Sequence, residues 1–208
     1  MPYFRCLQII TAIALALSGG CLGKSAATRF YTLTPLPDAP SSAEKVNPAR
    51  HAAVGIGPIK LADYLDQSEL VTRTSDNRLS LAQFDQWAGS LEDNLTNVVA
   101  ENIGGLVPTD RIYLYPWRSA DQIDYQVVLD VVRCDGQLGE AAWLVVRWNL
   151  IGRQDKRVLA TSRSSIREPV EGADFDALVA AQSRALAELS REIVAAIHAA
   201  SREGAHEK

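Results

Sequence analysis

Apolar and polar positions change period several times along the chain, and each change predicts an element. Residues 7–17 are apolar but for Gln8 and Thr11. Arg29-Phe30-Tyr31-Thr32-Leu33-Thr34 alternates and is rich in aromatic and β-branched residues, which predicts a strand. The four prolines between Pro35 and Ala53 predict a surface loop, with His51 in it as a solvated side chain. Ala53 to Leu61 predicts a buried strand, and Asp63-Tyr64-Leu65 a short turn or helix. Leu70–Thr74 and Arg78–Leu81 flank the polar Ser75-Asp76-Asn77 and predict a hairpin.

From Ser80 the period becomes helical. Ser80-Leu81-Ala82-Gln83 has the form of a capping box. Phe84, Trp87, Ala88, Leu91, Leu95, Val98, Val99 and Ile103 then follow at spacings of three and four. Gly104-Gly105 predicts the stop. Gln86, Glu92, Asp93, Asn97 and Glu101 fall on the opposite face, where acids need only solvent to explain them. Arg111 to Trp117 predicts a strand closed by Pro116, so the helix is a crossover between strands.

Three longer strands follow. Tyr125 to Cys134 is β-branched, with Asp135-Gly136 and Gly139 as turn residues. Ala142 to Ile151 alternates, with Leu144, Val146, Trp148 and Leu150 on one face. Arg157 to Ile166 returns after a short connection, which favours an antiparallel meander. From Asp174, a predicted N-cap, Phe175, Leu178, Val179, Leu186, Leu189, Ile193, Val194 and Ile197 form a helical stripe interleaved with alanines. The sum is an α/β single domain with a mixed sheet, one crossover helix, an antiparallel meander and a C-terminal helix packed on the sheet. It is expected over residues 29–200, with a flexible tail at 201–208.

Composition adds compartment and excludes chemistry. With 22% charged and 47% hydrophobic residues, the chain is globular rather than disordered. The N-terminus joins one basic residue, Arg5, to an apolar run shorter than the about 20 residues that span a bilayer, then Ser18-Gly19-Gly20-Cys21. That is a secretory signal pattern over residues 1–20. Its end is similar to a bacterial lipobox, with Ser18 where Leu is usual and Leu17 one step earlier. Lipidation of the Cys21 thiol, with residues 21–28 as the tether, is the expectation. Cleavage near Gly20 without lipid, or retention of the run as an anchor, remain alternatives. By resemblance to enterobacterial sorting, Leu22 in place of Asp implies the outer membrane.

The net charge of −4 becomes −5 when Arg5 leaves with the signal. That acidity argues against nucleic-acid binding, which needs a basic footprint. Cys6 would leave with the signal and Cys21 would carry lipid, so Cys134 has no partner for an intramolecular disulfide; it is expected as a small buried residue. Gly55-x-Gly57 lacks the third glycine of a nucleotide loop and runs into Pro58. Three scattered histidines and no Cys cluster argue against zinc, and no Gly-x-Ser-x-Gly elbow occurs. No catalytic residue, cofactor or metal is expected.

Several phrases occur in order: Phe30-Tyr31-x-Leu33, Val54-Gly55-Ile56-Gly57-Pro58-Ile59, Asp63-Tyr64-Leu65-Asp66, Leu70-Val71-Thr72-Arg73, Asp76-Asn77-Arg78-Leu79, Phe84-Asp85-x-Trp87-Ala88-x-x-Leu91 and Tyr115-Pro116-Trp117. As a set they resemble the ABC-type transport auxiliary lipoproteins of the PqiC (YmbA) family, most densely over 54–117. The resemblance implies an α/β outer-membrane lipoprotein facing the periplasm that works with a periplasm-spanning MCE-domain protein and an inner-membrane permease in moving lipids or other apolar molecules. It also implies that members assemble into homo-oligomeric rings, and it brings no catalytic residues. The segment 73–87, with Arg73, Asn77, Arg78, Asp85 and Trp87, is the candidate partner or self-association surface; a purely structural hairpin and helix is the equal alternative. The competing function is a structural or assembly lipoprotein of the envelope with no transport role.

Overall fold

The computed structural model describes residues 27–37, 52–107, 109–117, 122–152 and 156–206. Cys21, His51 and most of the expected proline-rich loop lie outside the described residues. The elements are β1 (Arg29–Tyr31), β2 (Val54–Leu61), a 3-10 turn (Asp63–Leu65), β3 (Glu69–Ser75), β4 (Arg78–Trp87), α1 (Leu91–Leu106), β5 (Ile112–Leu114), β6 (Tyr125–Gln137), β7 (Ala141–Gly152), β8 (Val158–Pro169) and α2 (Phe175–His206).

The sheet is organised on β6. One edge takes β7 and then β8 in an antiparallel meander, registered Val131↔Val146 and Val146↔Ser164. The other edge is shared. The first half of β6 pairs in parallel with β2, whose far side takes β5. The far end, at Gly136, pairs with Thr72 of β3, beyond which lie β4 and then β1. The result is one eight-stranded mixed sheet.

Both helices cover the same face. The inward row of β7, Leu144, Val146, Trp148 and Leu150, is buried, and so is the α2 stripe of Leu186, Leu189, Ile193 and Ile197. Each such side chain contributes about 1.5–3 kcal/mol by leaving water. Among the described residues one polar side-chain atom buried in this layer, Gln182 Oε1, has no hydrogen-bond partner, while others are paired: Trp148 Nε1 donates to Ser164 Oγ at 2.9 Å, and Ser164 in turn meets the Glu192 carboxylate. Asn102 of α1 donates to Ser190 of α2 at 3.2 Å. Asp174 caps α2, its side chain accepting from Ala177 N at 2.9 Å.

Four expectations are corrected. Residues 80–87 are strand, not the start of the helix. The helix begins at Leu91, where Ser90 Oγ accepts from Asp93 N and Gly89 supplies a φ of 148° for the corner. Helix α1 also passes through Gly104-Gly105 and ends at Leu106. Asp135-Gly136 belongs to β6, and the turn lies at 138–140 with Gly139 at φ 72°. Gly136 is needed for close approach, since a Cβ there would lie 2.4 Å from Leu178 Cδ1 and 2.8 Å from Ala141 O. The strand expected over 111–117 is only Ile112–Leu114. At the C-terminus α2 runs from Phe175 through His206.

Candidate functional site

Three features of the domain offer surfaces or devices for its work. The first is the strap where the chain enters the fold. Arg29 and Tyr31 face inward from β1 and both donate to Asp85, at 2.7 and 2.8 Å. Ala88 N donates to Tyr31 O at 2.8 Å. Past the strand, Thr32 Oγ1 donates to Asn94, Thr34 N donates to Ser183 Oγ, and Leu36 N donates to Asn102 Oδ1 at 2.7 Å. Residues 29–36 are thereby fastened across β4, α1 and α2 in turn. Burial alone would raise the Asp85 carboxyl; the hydrogen bonds from Arg29 and Tyr31 outweigh it and hold the group below the usual carboxylate range. Tyr31 is pushed up to about 12, first by burial and then by Asp85.

The second is a hub at Asp135, on the sheet face away from the helices. Its side chain has no exposed surface. Arg73 of β3 donates to it at 2.9 Å, Arg133 at 2.8 Å and Tyr64 at 2.9 Å. Arg73 also donates to Asp76 O in the hairpin turn at 2.7 Å. Burial pulls the Asp135 carboxyl upward, but hydrogen bonds from Arg73 and Arg133 and the Arg133 charge keep it depressed. Beside it, burial pushes the Cys134 thiol up to about 12, which keeps it protonated and unreactive. The expectation of a small buried cysteine is met.

The third is that open face itself. Arg133 stacks on the Trp143 ring at 4.3 Å and Arg167 approaches it at 5.7 Å. Arg147 stands directly opposite Arg163 in the β7–β8 register, with Asp130 of β6 3.4 Å from Arg147.

The candidate surface residues divide. Asn77 and Arg78 are exposed at the hairpin tip. Arg73 is turned into the Asp135 hub, with 20% of its side chain accessible. Asp85 and Trp87 are buried, each 5% exposed, Asp85 under the strap and Trp87 in the core. The five therefore do not form one surface. The hub acid was missed because Asp135-Gly136 has the form of a turn dipeptide; a carboxylate continuing a β-branched run was the signal available. The helix-face acids Glu92, Asp93 and Glu101 are exposed as expected. Among the described residues no group of three or more His, Cys, Asp or Glu side chains is placed to hold a metal ion, and no helix is long and apolar enough to cross a membrane.

The sequence matches the family described as ABC-type transport auxiliary lipoprotein component over residues 31–194. No curated protein matches it. Among solved structures, a protein of Xanthomonas campestris assigned to the DUF330 family is similar in fold, with a TM-score of 0.68 at 20% identity over 86% of this chain and 99% of that one. A second, an uncharacterised protein, has a TM-score of 0.66 at 18% identity over 83% and 99%.

Proposed function

The chain belongs to the ABC-type transport auxiliary lipoprotein family, and from that membership we propose that it is a non-enzymatic accessory of an intermembrane transport system for lipids or other apolar molecules. Acyl chains on Cys21 hold it in the outer membrane, facing the periplasm. The domain docks on the end of a periplasm-spanning MCE-domain protein that works with an inner-membrane permease, and copies of the domain assemble into a ring. The family match across 31–194 carries the proposal.

The strap supports a mechanical role. From Cys21 to Arg29 is eight residues, a fully extended reach of about 28 Å. The chain is then fastened at Asp85, Asn94, Ser183 and Asn102 in succession. The domain is thus held within one tether length of the bilayer, with no further slack before the fold begins. The exposed Asn77 and Arg78 make the tip of the β3–β4 hairpin the proposed contact with the spanning partner, and the Asp135 hub fixes that hairpin to β6. Crosslinking in intact envelopes from the hairpin tip, followed by capture of the protein, tests the proposal. An MCE-domain protein in the crosslinked product is expected. Its consistent absence would leave an envelope assembly lipoprotein in its place.

A further inference from the structure

The exposed apolar groups near the strap and the arginines of the meander lie on one side of the sheet. Tyr31 and Arg29 turn inward to Asp85, so Phe30 between them projects from the opposite side, 65% exposed. In the β3–β4 register Leu79 faces Arg73 and Leu81 faces Val71. Arg73 points into the Asp135 hub on that same outer side, so Leu79 and Leu81 belong to it too, 37% and 53% exposed. The inward row of β7 is even-numbered from 144 to 150 and covered by α2. Trp143, Val145, Arg147 and Asn149 therefore project outward beside Arg167, Ser165, Arg163 and Thr161 of β8.

We propose that this open face, with Phe30, Leu79 and Leu81 toward the strap and Arg147, Arg163 and Arg167 toward the meander edge, rests on the phospholipid headgroups of the membrane that holds the protein. The proposal deepens the functional reading above and rests on acylation of Cys21.

Three observations favour a lipid surface. The tether ends at the edge strand β1, which puts Phe30 on this face: Phe30 is nine residues from Cys21, within about 30 Å of the acylated thiol even at full extension. The side chains suit the interface, where aromatic rings and arginines settle at headgroup level and basic groups are drawn to anionic lipid. The Arg147–Arg163 pair is also unfavourable as it stands. Like charges directly opposite on neighbouring strands repel, and Asp130 in the same row offers one carboxylate to two guanidinium groups. Anionic phosphate above the row completes the balance. Of the other acids of this face, Asp135 is held in its hub, Glu140 lies 3.9 Å from Arg167, and Glu69, beside Phe30 through Gln86, accepts from Ser68 Oγ at 3.0 Å. On the helix side exposed acids outnumber exposed arginines, with Glu92, Asp93, Glu101, Asp176 and Glu188 against Arg184, Arg191 and Arg202, and Arg191 is paired with Glu188 at 2.8 Å. Seating the open face on lipid turns those acids to the aqueous compartment and leaves the hairpin tip at the rim.

The test uses protein extracted from envelopes and reconstituted in phosphatidylethanolamine vesicles containing phosphatidylglycerol. A nitroxide is placed at Thr161→Cys on the open face or at Glu188→Cys on α2; Cys134 is 3% exposed and stays unlabelled. The expected result is a several-fold lower collision rate with a water-soluble nickel chelate at 161 than at 188, abolished by Arg147→Glu with Arg163→Glu. Equal accessibility at the two sites overturns the proposal. So does protection of 161 that appears in native envelopes but not in pure lipid, which assigns the face to a protein partner. Intact mass separates the two levels: an unacylated Cys21 removes the anchor and this proposal together, whereas an acylated chain with equally exposed labels removes this proposal alone.

Discussion

Arg73 and Asp135 meet at 2.9 Å across 62 residues of chain, and the carboxylate they share with Arg133 and Tyr64 has no exposed surface. This contact fastens the β3–β4 hairpin to the far end of β6, where the sheet itself supplies only the Thr72↔Gly136 pairing. Asp135→Ala removes the centre of the hub. Breaking a buried ion pair costs about 3–5 kcal/mol when it strands a charge. Here the guanidinium groups keep 20% and 26% of their surface and regain water, so the low end, about 3 kcal/mol, is expected. Arg73→Ala leaves Asp135 paired with Arg133 and should cost less. Urea midpoints of the two variants check the order, and an equal loss would mean that Arg133 does not hold the carboxylate by itself.

The same hub, with Asp85, sets an acid limit on stability. Both carboxyls are depressed in the folded state relative to the unfolded value of about 3.9. A depressed carboxyl contributes stability that is present above its unfolded pKa and is lost as pH falls through the folded one. Thermal unfolding should therefore change little from these groups between neutral pH and about 5, then fall steeply below about 4. Asp135→Asn, measured over the same range, should flatten the acid slope while lowering stability at neutral pH. An unchanged slope would remove Asp135 as its source.

The start of α1 gives a local prediction. Ser90 caps the helix through Asp93 N, so Ser90→Ala should cost about 1 kcal/mol. Ser80, expected from its capping-box form to do this job, sits exposed in β4, and Ser80→Ala should stay within about 0.5 kcal/mol. Equilibrium denaturation of both variants separates the two starts.

The difference between Ser80 and Ser90 shows what was legible in the sequence. The meander and α2 were readable because their periods are unbroken: Leu144, Val146, Trp148 and Leu150 keep period two, and Leu186, Leu189, Ile193 and Ile197 keep the helical period. Strand β4 hid itself. Its pairing with β3 jumps from Glu69↔Gln86 to Val71↔Leu81, and the irregularity spaces Leu81, Phe84, Trp87 and Leu91 like a helix stripe. Only Gly89 before Ser90 marked the true boundary. The hub and the strap were out of reach for another reason. Apart from Arg133, two residues from Asp135, their partners are 54 to 149 residues apart, and only the tertiary fold brings them together. The hairpin turn Asp76-Asn77 was legible, but which of its neighbouring residues stay on the surface depends on what covers β4, and that is β1.

Two glycines of the misassigned stretches should respond to alanine with opposite signs. At Gly136 a Cβ would meet Leu178 Cδ1 at 2.4 Å, Ala141 O at 2.8 Å and Ala142 Cα at 3.1 Å. Leu178 is fully buried and the carbonyl belongs to the first residue of β7, which is paired with β6, so neither yields without moving α2 or the strand pair. Overpacking of this kind costs about 1–3 kcal/mol and more where backbone must shift, and Gly136→Ala is expected at or above the top of that range. Gly105 is exposed in the last turn of α1, with nothing within 4 Å of an added Cβ. There alanine removes only the conformational freedom of the unfolded glycine, so Gly105→Ala should stabilise by about 0.5–1 kcal/mol. Denaturant melts of the two variants check both signs. A neutral Gly136→Ala would mean that the N-terminal turns of α2 sit farther from the end of β6 than 2.4 Å implies, and that the glycine serves the turn after all.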